Sequence, residues 1–185
     1  MQFKLNVPNV ITIFRILLVP VYLAFVVSGE YGWALASFVV AGASDAVDGA
    51  VARFTHDITE FGAALDPVAD KTLALAAFVS LTALGAIPLW LTLVVILRDV
   101  VIVAGNFAIY FRRIEFRIRP FITGKVATFL QFALLVSALH GLYIGPGARG
   151  LDITGWLVWP TLAFVVVSGV QYVMLGIRVA KGRER

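Results

Sequence analysis

Six long runs of apolar residues follow one another along the chain, and short polar stretches separate them. Each run is long enough for an α-helix to cross a hydrocarbon core about 30 Å thick. No internal repeat or soluble domain is visible. We therefore predict an all-α fold, a polytopic integral membrane bundle of six transmembrane helices in a single domain, residues 1–185. The predicted spans are Val10–Val27, Tyr31–Phe54, Phe61–Leu84, Ile87–Phe111, Phe121–Leu139 and Thr154–Ile177.

The composition agrees with a membrane protein. Of the 185 residues 61% are hydrophobic, and the mean hydropathy is +0.95, whereas soluble domains are nearer half apolar. The chain has no cysteine, which excludes disulfide and thiolate chemistry. Its net charge of +4 is modest, and no nucleic-acid partner is expected. The segment Met1–Val7 leads into an apolar run without a small-residue cleavage site, so we expect a retained first helix and no signal peptide.

The distribution of basic residues predicts how the bundle is oriented. In a six-span arrangement one side keeps only Arg149, and the other side holds Lys4, Arg53, Arg112, Arg113, Arg117, Arg119, Arg178, Lys181, Arg183 and Arg185. By the positive-inside rule both termini are then cytoplasmic. Every tryptophan begins an even-numbered span, as expected of an aromatic belt at the outer interface: Trp33, Trp90, Trp156 and Trp159. We expect a multi-pass protein of the inner (plasma) membrane.

Four aspartates interrupt the second and third spans. An unpaired carboxylate at the bilayer centre costs about 3 kcal/mol on insertion scales. Asp45 and Asp48 are three residues apart and Asp66 and Asp70 are four apart, so each pair lies on one helix face. In an antiparallel pair of spans that turns near Asp57, the four residues lie at matching depths. The spacing predicts that they converge near the cytoplasmic surface.

Carboxylates at such close quarters require positive charge between them. Oxygen ligands suit hard cations such as Mg²⁺, Mn²⁺ or Ca²⁺, and no histidine or thiolate is placed to favour zinc. A pair of divalent ions about 4 Å apart is the arrangement that activates phosphoryl transfer. We therefore predict a metalloenzyme with two divalent cations, Mg²⁺ or Mn²⁺, held by Asp45, Asp48, Asp66 and Asp70.

The residues between the aspartates complete a longer motif, Asp45-x2-Asp48-Gly49-x2-Ala52-Arg53-x8-Gly62-x3-Asp66-x3-Asp70. Taken singly, its small residues also suit tight helix packing, and its arginine also suits a snorkelling charge. Together the eight positions match the signature of the CDP-alcohol phosphatidyltransferases. The six-span plan and the segments Asn9–Pro20 and Leu65–Lys71 also resemble the bacterial glycerophosphate and cardiolipin branches of that family.

The resemblance implies a reaction and a role for each motif residue. In that family a hydroxyl attacks the phosphatidyl phosphorus of a CDP-linked lipid such as CDP-diacylglycerol, and CMP leaves. Asp45, Asp48 and Asp66 would ligate the metal pair, and Asp70 would be both the general base and a fourth ligand. The CDP-lipid would be bound by Asp48, Gly49, Ala52, Arg53 and Gly62. The resemblance also implies a homodimer.

The acceptor alcohol is predicted from the fourth and fifth spans. The candidate acceptor-binding residues are Arg98, Arg112, Arg119 and Lys125. Positive-inside topology and contact with anionic lipids also account for the loop arginines. An internal ion pair with the neighbouring Asp99 accounts for Arg98 equally well.

Two departures from the family pattern change the expected acceptor. Bacterial glycerophosphate phosphatidyltransferases usually have an arginine where this chain has Asn106, and a second lysine where it has Ala127. Both departures remove positive charge from the expected acceptor pocket. The segments Leu97–Arg112 and Arg119–Gln131 look closer to mitochondrial-type cardiolipin synthases. The resemblance therefore favours phosphatidylglycerol as acceptor, giving cardiolipin, with glycerol 3-phosphate, giving phosphatidylglycerol phosphate, as the alternative.

Two hypotheses of other classes compete with this interpretation. Intramembrane carboxylates are also typical of divalent-cation or proton-coupled transporters. Against a transporter, the aspartates lie toward one face of the membrane, and no pair of interrupted helices related by internal symmetry is visible. A non-catalytic lipid-binding protein would leave the acidic residues unexplained.

Overall fold

The computed structural model describes residues 7–55, 60–111, 121–145 and 153–180, with the side chains of 14–44, 71–105, 121–145 and 153–179. All six predicted helices are present, and the described residues contain no strand. The all-α prediction is confirmed. The helices are α1 (Val7–Val27), α2 (Tyr31–Thr55), α3 (Glu60–Ala83), α4 (Leu89–Phe111), α5 (Ile122–Ile144) and α6 (Ile153–Ala180).

The largest difference from the predicted spans is at the end of α5. We predicted this end at Leu139, before the polar His140, but the helix continues to Ile144. It ends where Gly145 takes a φ of 75°. A left-handed residue cannot continue a right-handed helix, so the backbone at Gly145 and not the polarity of His140 terminates α5.

Helices α1 and α3 end in the same type of turn. After each helix comes a glycine with positive φ, 76° at Gly29 and 70° at Gly85. The next amide reaches back across the turn: Glu30 N donates to Phe25 O at 2.9 Å, and Ala86 N donates to Leu81 O at 2.9 Å. These bonds satisfy carbonyl groups that the helix end leaves open. The two glycines therefore set where α1 and α3 stop.

The described helices pack as two units, and the first contains α1, α2, α3 and the end of α5 from Leu135. Helix α1 packs against both α2 and α3. Tyr22 of α1 is fully buried, and its ring centroid lies 6.0 Å from that of Phe38 on α2. The Tyr22 hydroxyl lies 3.0 Å from Oγ of Ser80 on α3. Tyr22 is therefore a point where α1, α2 and α3 meet.

The second unit contains α4, α5 up to Leu134, and α6. Helix α4 packs against α6. Gly169 of α6 allows a close approach, because a Cβ there would lie 3.5 Å from Cγ of Arg98. Near the opposite end of α4, the rings of Trp90 and Trp159 have centroids 6.1 Å apart. Small residues such as Gly169 are typical of close helix packing in membranes.

Two of the described helices are long and apolar enough to cross a bilayer, Ile122–Ile144 and Ile153–Val179. Large apolar side chains are exposed on several helices, as expected where lipid covers the surface. Trp33, Trp156 and Trp159 are 64%, 79% and 67% exposed, which fits contact with a membrane interface. The number of spans, the side on which the termini lie and the single-domain organisation stay predictions.

Candidate active site on the acidic helices

The four aspartates lie on two helices of the first unit, Asp45 and Asp48 on α2, and Asp66 and Asp70 on α3. Their side chains lie outside the described ones, as do those of Gly49, Ala52, Arg53 and Gly62 in the same two helices. What the structure provides is therefore the helical position of each residue. The neighbouring described side chains show which face of each helix is buried.

On α2 the buried face continues into the acidic positions. Ala34, Phe38 and Ala41 are buried, at spacings of four and three residues. Position 45 follows Phe38 by seven residues, and position 48 follows Ala41 by seven residues. Because seven residues make nearly two helical turns, both acidic positions lie in line with the buried side chains of Phe38 and Ala41.

On α3 the acidic positions are also in line with buried side chains, but here they precede those side chains in the sequence. Leu73 and Ala77 are buried, and Ala77 lies one turn before Ser80. Positions 66 and 70 precede Leu73 and Ala77 by seven residues each. The acidic positions of α3 therefore also extend a buried face.

Because Tyr22 contacts both Phe38 on α2 and Ser80 on α3, it gives a common reference level for positions along the two acidic helices. Asp45 lies seven residues from Phe38, about 10 Å along α2, and Asp70 lies ten residues from Ser80, about 15 Å along α3. Both displacements run toward the connection between α2 and α3. Asp45 and Asp70 are therefore at levels that agree within about one turn. This register supports the prediction that the four residues converge.

The structure describes two of the four residues predicted to bind the acceptor. Arg98 is described and buried on α4, 7% exposed, and Lys125 is described and exposed on α5. Arg112 and Arg119 lie outside the described residues. Asn106 lies in α4, two turns beyond Arg98, with its side chain outside the described ones.

Arg98 forms the internal ion pair that was one of the two sequence-based interpretations. Its Nη1 lies 2.8 Å from Oδ1 of Asp99, and its Nε donates to Oγ of Ser168 at 3.1 Å. The guanidinium also lies over the ring of Tyr172, 5.9 Å from the centroid. A Cβ added to Gly124 would lie 3.4 Å from Nη2 of Arg98. The cation is thus held by α4 and α6 beside the start of α5.

Sequence reasoning missed the partners of Arg98 on α6. Ser168 and Tyr172 are one turn apart and share a helix face, with Gly169 beside them. Between them on the same helix, Oε1 of Gln171 accepts a hydrogen bond from Oγ1 of Thr123 on α5. A polar residue every third or fourth position of an apolar helix was the available signal. It could not show which arginine these residues contact.

A profile of the CDP-alcohol phosphatidyltransferase family matches residues 5–167. The chain is 32% identical over 182 residues to a probable phosphatidylglycerophosphate synthase of Mycobacterium tuberculosis, covering 94% of this chain and 82% of that protein. It is 29% identical over 187 residues to a putative cardiolipin synthase of Mycobacterium bovis, covering 98% and 89%. It is 33% identical over 150 residues to the human cardiolipin synthase (CMP-forming), covering 72% and 50%.

The fold and these similarities define a membrane-embedded helical enzyme. The chain belongs to the CDP-alcohol phosphatidyltransferase family. The substrates of this family are CDP-diacylglycerol and a glycerol-type acceptor. The family predicted from the aspartate motif is therefore confirmed.

Proposed function

We propose that this enzyme transfers the phosphatidyl group of CDP-diacylglycerol to a hydroxyl of phosphatidylglycerol, releasing CMP and forming cardiolipin. The observation that carries the proposal is the complete aspartate motif on α2 and α3, at positions that extend the buried faces of both helices. In the reaction the acceptor oxygen forms a new bond to phosphorus, the bond from phosphorus to the CMP oxygen breaks, and the acceptor proton is taken up by a base.

The donor set fits two divalent cations of the Mg²⁺ or Mn²⁺ type, because all four motif ligands are carboxylates. Asp45, Asp48 and Asp66 are the proposed ligands. Asp70 is the proposed general base and a further ligand, since a crowded carboxylate is suited to accept the acceptor proton. When bound, the metal pair would neutralise the diphosphate and stabilise the leaving CMP oxygen.

The remaining motif residues are proposed to bind the CDP-lipid together with Asp48. Gly49 and Ala52 are small residues near the aspartate positions of α2, and Gly62 is a small residue near the start of α3, so they would leave room for the CDP-lipid. Arg53 lies one turn beyond Gly49, and its guanidinium suits phosphate oxygens. The nucleotide would then lie at the cytoplasmic interface while the acyl chains stay in the bilayer.

The electrostatics of α4 support phosphatidylglycerol as the acceptor. The charge of Arg98 is balanced within the chain by Asp99 at 2.8 Å, and the positions that carry further cations in glycerophosphate enzymes are Asn106 and Ala127 here. A phosphodiester with one negative charge requires fewer cations than a phosphomonoester with two. Of the other acceptor candidates, Lys125 on α5 is described and exposed, two residues before Ala127.

Glycerol 3-phosphate is the second candidate acceptor. The similarity to a probable phosphatidylglycerophosphate synthase over 94% of this chain favours it. Arg112, Arg119 and Lys125 would then supply the charge that Asn106 does not. We further propose a homodimer in the inner (plasma) membrane with six spans, both termini in the cytoplasm and the active site facing the cytoplasm.

A CMP-release assay tests this function. Purified protein receives CDP-diacylglycerol, Mn²⁺ or Mg²⁺, and either phosphatidylglycerol or glycerol 3-phosphate. We expect metal-dependent CMP with phosphatidylglycerol and a lipid product that migrates as cardiolipin. Greater CMP release with glycerol 3-phosphate would make glycerol 3-phosphate the preferred acceptor. Ion flux in liposomes without CMP release would favour a transporter.

Exchanging Asn106 for arginine tests whether this part of α4 lines the acceptor pocket. We expect N106R to shift the ratio of kcat/KM values toward glycerol 3-phosphate by about tenfold, because an added cation favours the doubly charged acceptor. The neutral N106Q serves as the matched control and should keep the parental ratio. The two kcat/KM values are measured by CMP release. An unchanged ratio in N106R would indicate that Asn106 does not line the acceptor pocket.

A further inference from the structure

Arg15 is a buried cation in the unit that carries the aspartates. It is 2% exposed and lies on α1 in line with Val19, Tyr22 and Val26, which are also buried. The spacings of four, three and four residues place all of them on one helix face. An arginine side chain stays charged in a protein, and burying that charge is costly unless an anion lies nearby.

The described acidic residue of α1 and its following turn cannot supply that anion. Glu30 is exposed and lies beyond the end of α1, which continues twelve residues, about 18 Å, past Arg15. The acidic residues of α2 and α3 belong to the same unit as Arg15, so we compare their levels with that of Arg15.

The contacts of Tyr22 show which acidic positions are level with Arg15. Arg15 precedes Tyr22 by seven residues, and Asp45 follows Phe38, the ring partner of Tyr22, by seven residues. Because α1 and α2 are joined by a short turn at Gly29 and run in opposite directions, Arg15 and Asp45 lie at the same level.

The same register applies to α3. Its Ser80 lies against the Tyr22 hydroxyl, and the position seven residues earlier is the buried Leu73. Asp70 lies three residues before Leu73, within one turn of the level of Arg15. Helix α1 packs against both acidic helices, and Arg15 lies on the buried face of α1 at a level close to both acidic positions.

We propose that Arg15 supplies the acidic helices with a permanent positive charge at the level of Asp45 and Asp70 and acts as a positioning residue of the site. This inference rests on the proposed function only in taking the four aspartates as the metal site. The guanidinium balances one carboxylate charge before any metal or substrate binds. It thereby reduces the repulsion among the four aspartates and competes with the cations for them.

A Mn²⁺ titration of the full-length chain in detergent, without substrate, separates this role from a merely structural one. The readout is free Mn²⁺ measured by electron paramagnetic resonance. We expect R15Q to bind Mn²⁺ at least about threefold more tightly, because a charge that repels the cation is removed. R15K keeps the charge and should stay within about twofold of the parent. Weaker or unchanged Mn²⁺ binding in R15Q would overturn the proposal.

A double-mutant cycle in chelator tests the pairing independently of activity. R15Q should lower the melting temperature, and D45N or D70N in the R15Q background should recover part of the loss, because both buried charges are then absent. Y22F is the matched control on the same face of α1 and should be additive with both aspartate changes. Additivity of R15Q with both aspartates, or unfolding of R15Q that neither change recovers, would overturn the proposal.

These outcomes are distinguishable from failure of the proposed function. Coupling between Arg15 and an aspartate without any CMP release would leave the pairing standing and remove the enzymatic role. Metal-dependent CMP release with full additivity in the cycle would keep the enzyme and remove Arg15 from its site.

Discussion

Replacing Asp70 with asparagine is expected to abolish transfer, lowering kcat by about 1,000-fold. The amide keeps the size of the side chain but cannot accept the acceptor proton, and general-base catalysis typically contributes between about 10² and 10⁴. Metal-dependent binding of CDP-diacylglycerol should persist, because Asp45, Asp48 and Asp66 remain. The measurement is CMP release alongside equilibrium binding of the CDP-lipid.

The control for D70N is D57N, which removes a carboxylate between α2 and α3 that is not part of the motif. Its kcat should stay within about twofold of the parent, as expected for a substitution away from the reacting atoms. Loss of CDP-lipid binding in D70N would reassign Asp70 as an essential ligand and not as the base. Full activity of D70N would show that the Asp70 carboxylate has no role in the active site.

Removing divalent cations is expected to have an effect of similar size. Without them, four carboxylates and a diphosphate would repel one another, so CMP release in EDTA should fall by more than about 100-fold. Adding Mg²⁺ or Mn²⁺ in excess of the chelator should restore it. In D48N the metal concentration for half-maximal CMP release should rise by at least about tenfold, because one ligand is lost.

The matched control for this experiment is D152N, which changes an acidic residue outside the motif. The parental metal dependence should persist in this variant. CMP release that continues undiminished in EDTA would contradict a metal-dependent transfer and would leave the aspartates without their proposed role.

The helices were predictable from the sequence because each apolar run is far longer than a β-strand and is bounded by polar or glycine-containing stretches. Even the ends of α2 and α3 lie within one residue of the predicted Tyr31–Phe54 and Phe61–Leu84. The end of α5 was not predictable in this way. It depends on the positive φ of Gly145, and a glycine in the sequence does not reveal its conformation.

The motif identified the family because its spacing is local to two consecutive helices. The surroundings of Arg98 depend instead on contacts between residues far apart in the chain, since Ser168 lies 70 residues away. Sequence alone left the ion pair with Asp99 and a ligand-facing role equally open. The level of Arg15 relative to Asp45 was likewise hidden, because it follows from where Tyr22 meets α2 and α3.

The most direct test of the central claim is an anomalous diffraction map of crystals grown with Mn²⁺ and CDP-diacylglycerol. We expect two Mn²⁺ peaks about 4 Å apart, between α2 and α3, with carboxylate oxygens of Asp45, Asp48, Asp66 and Asp70 around them. A map without Mn²⁺ between these helices, or with the four carboxylates directed to separate volumes, would contradict the shared metal site.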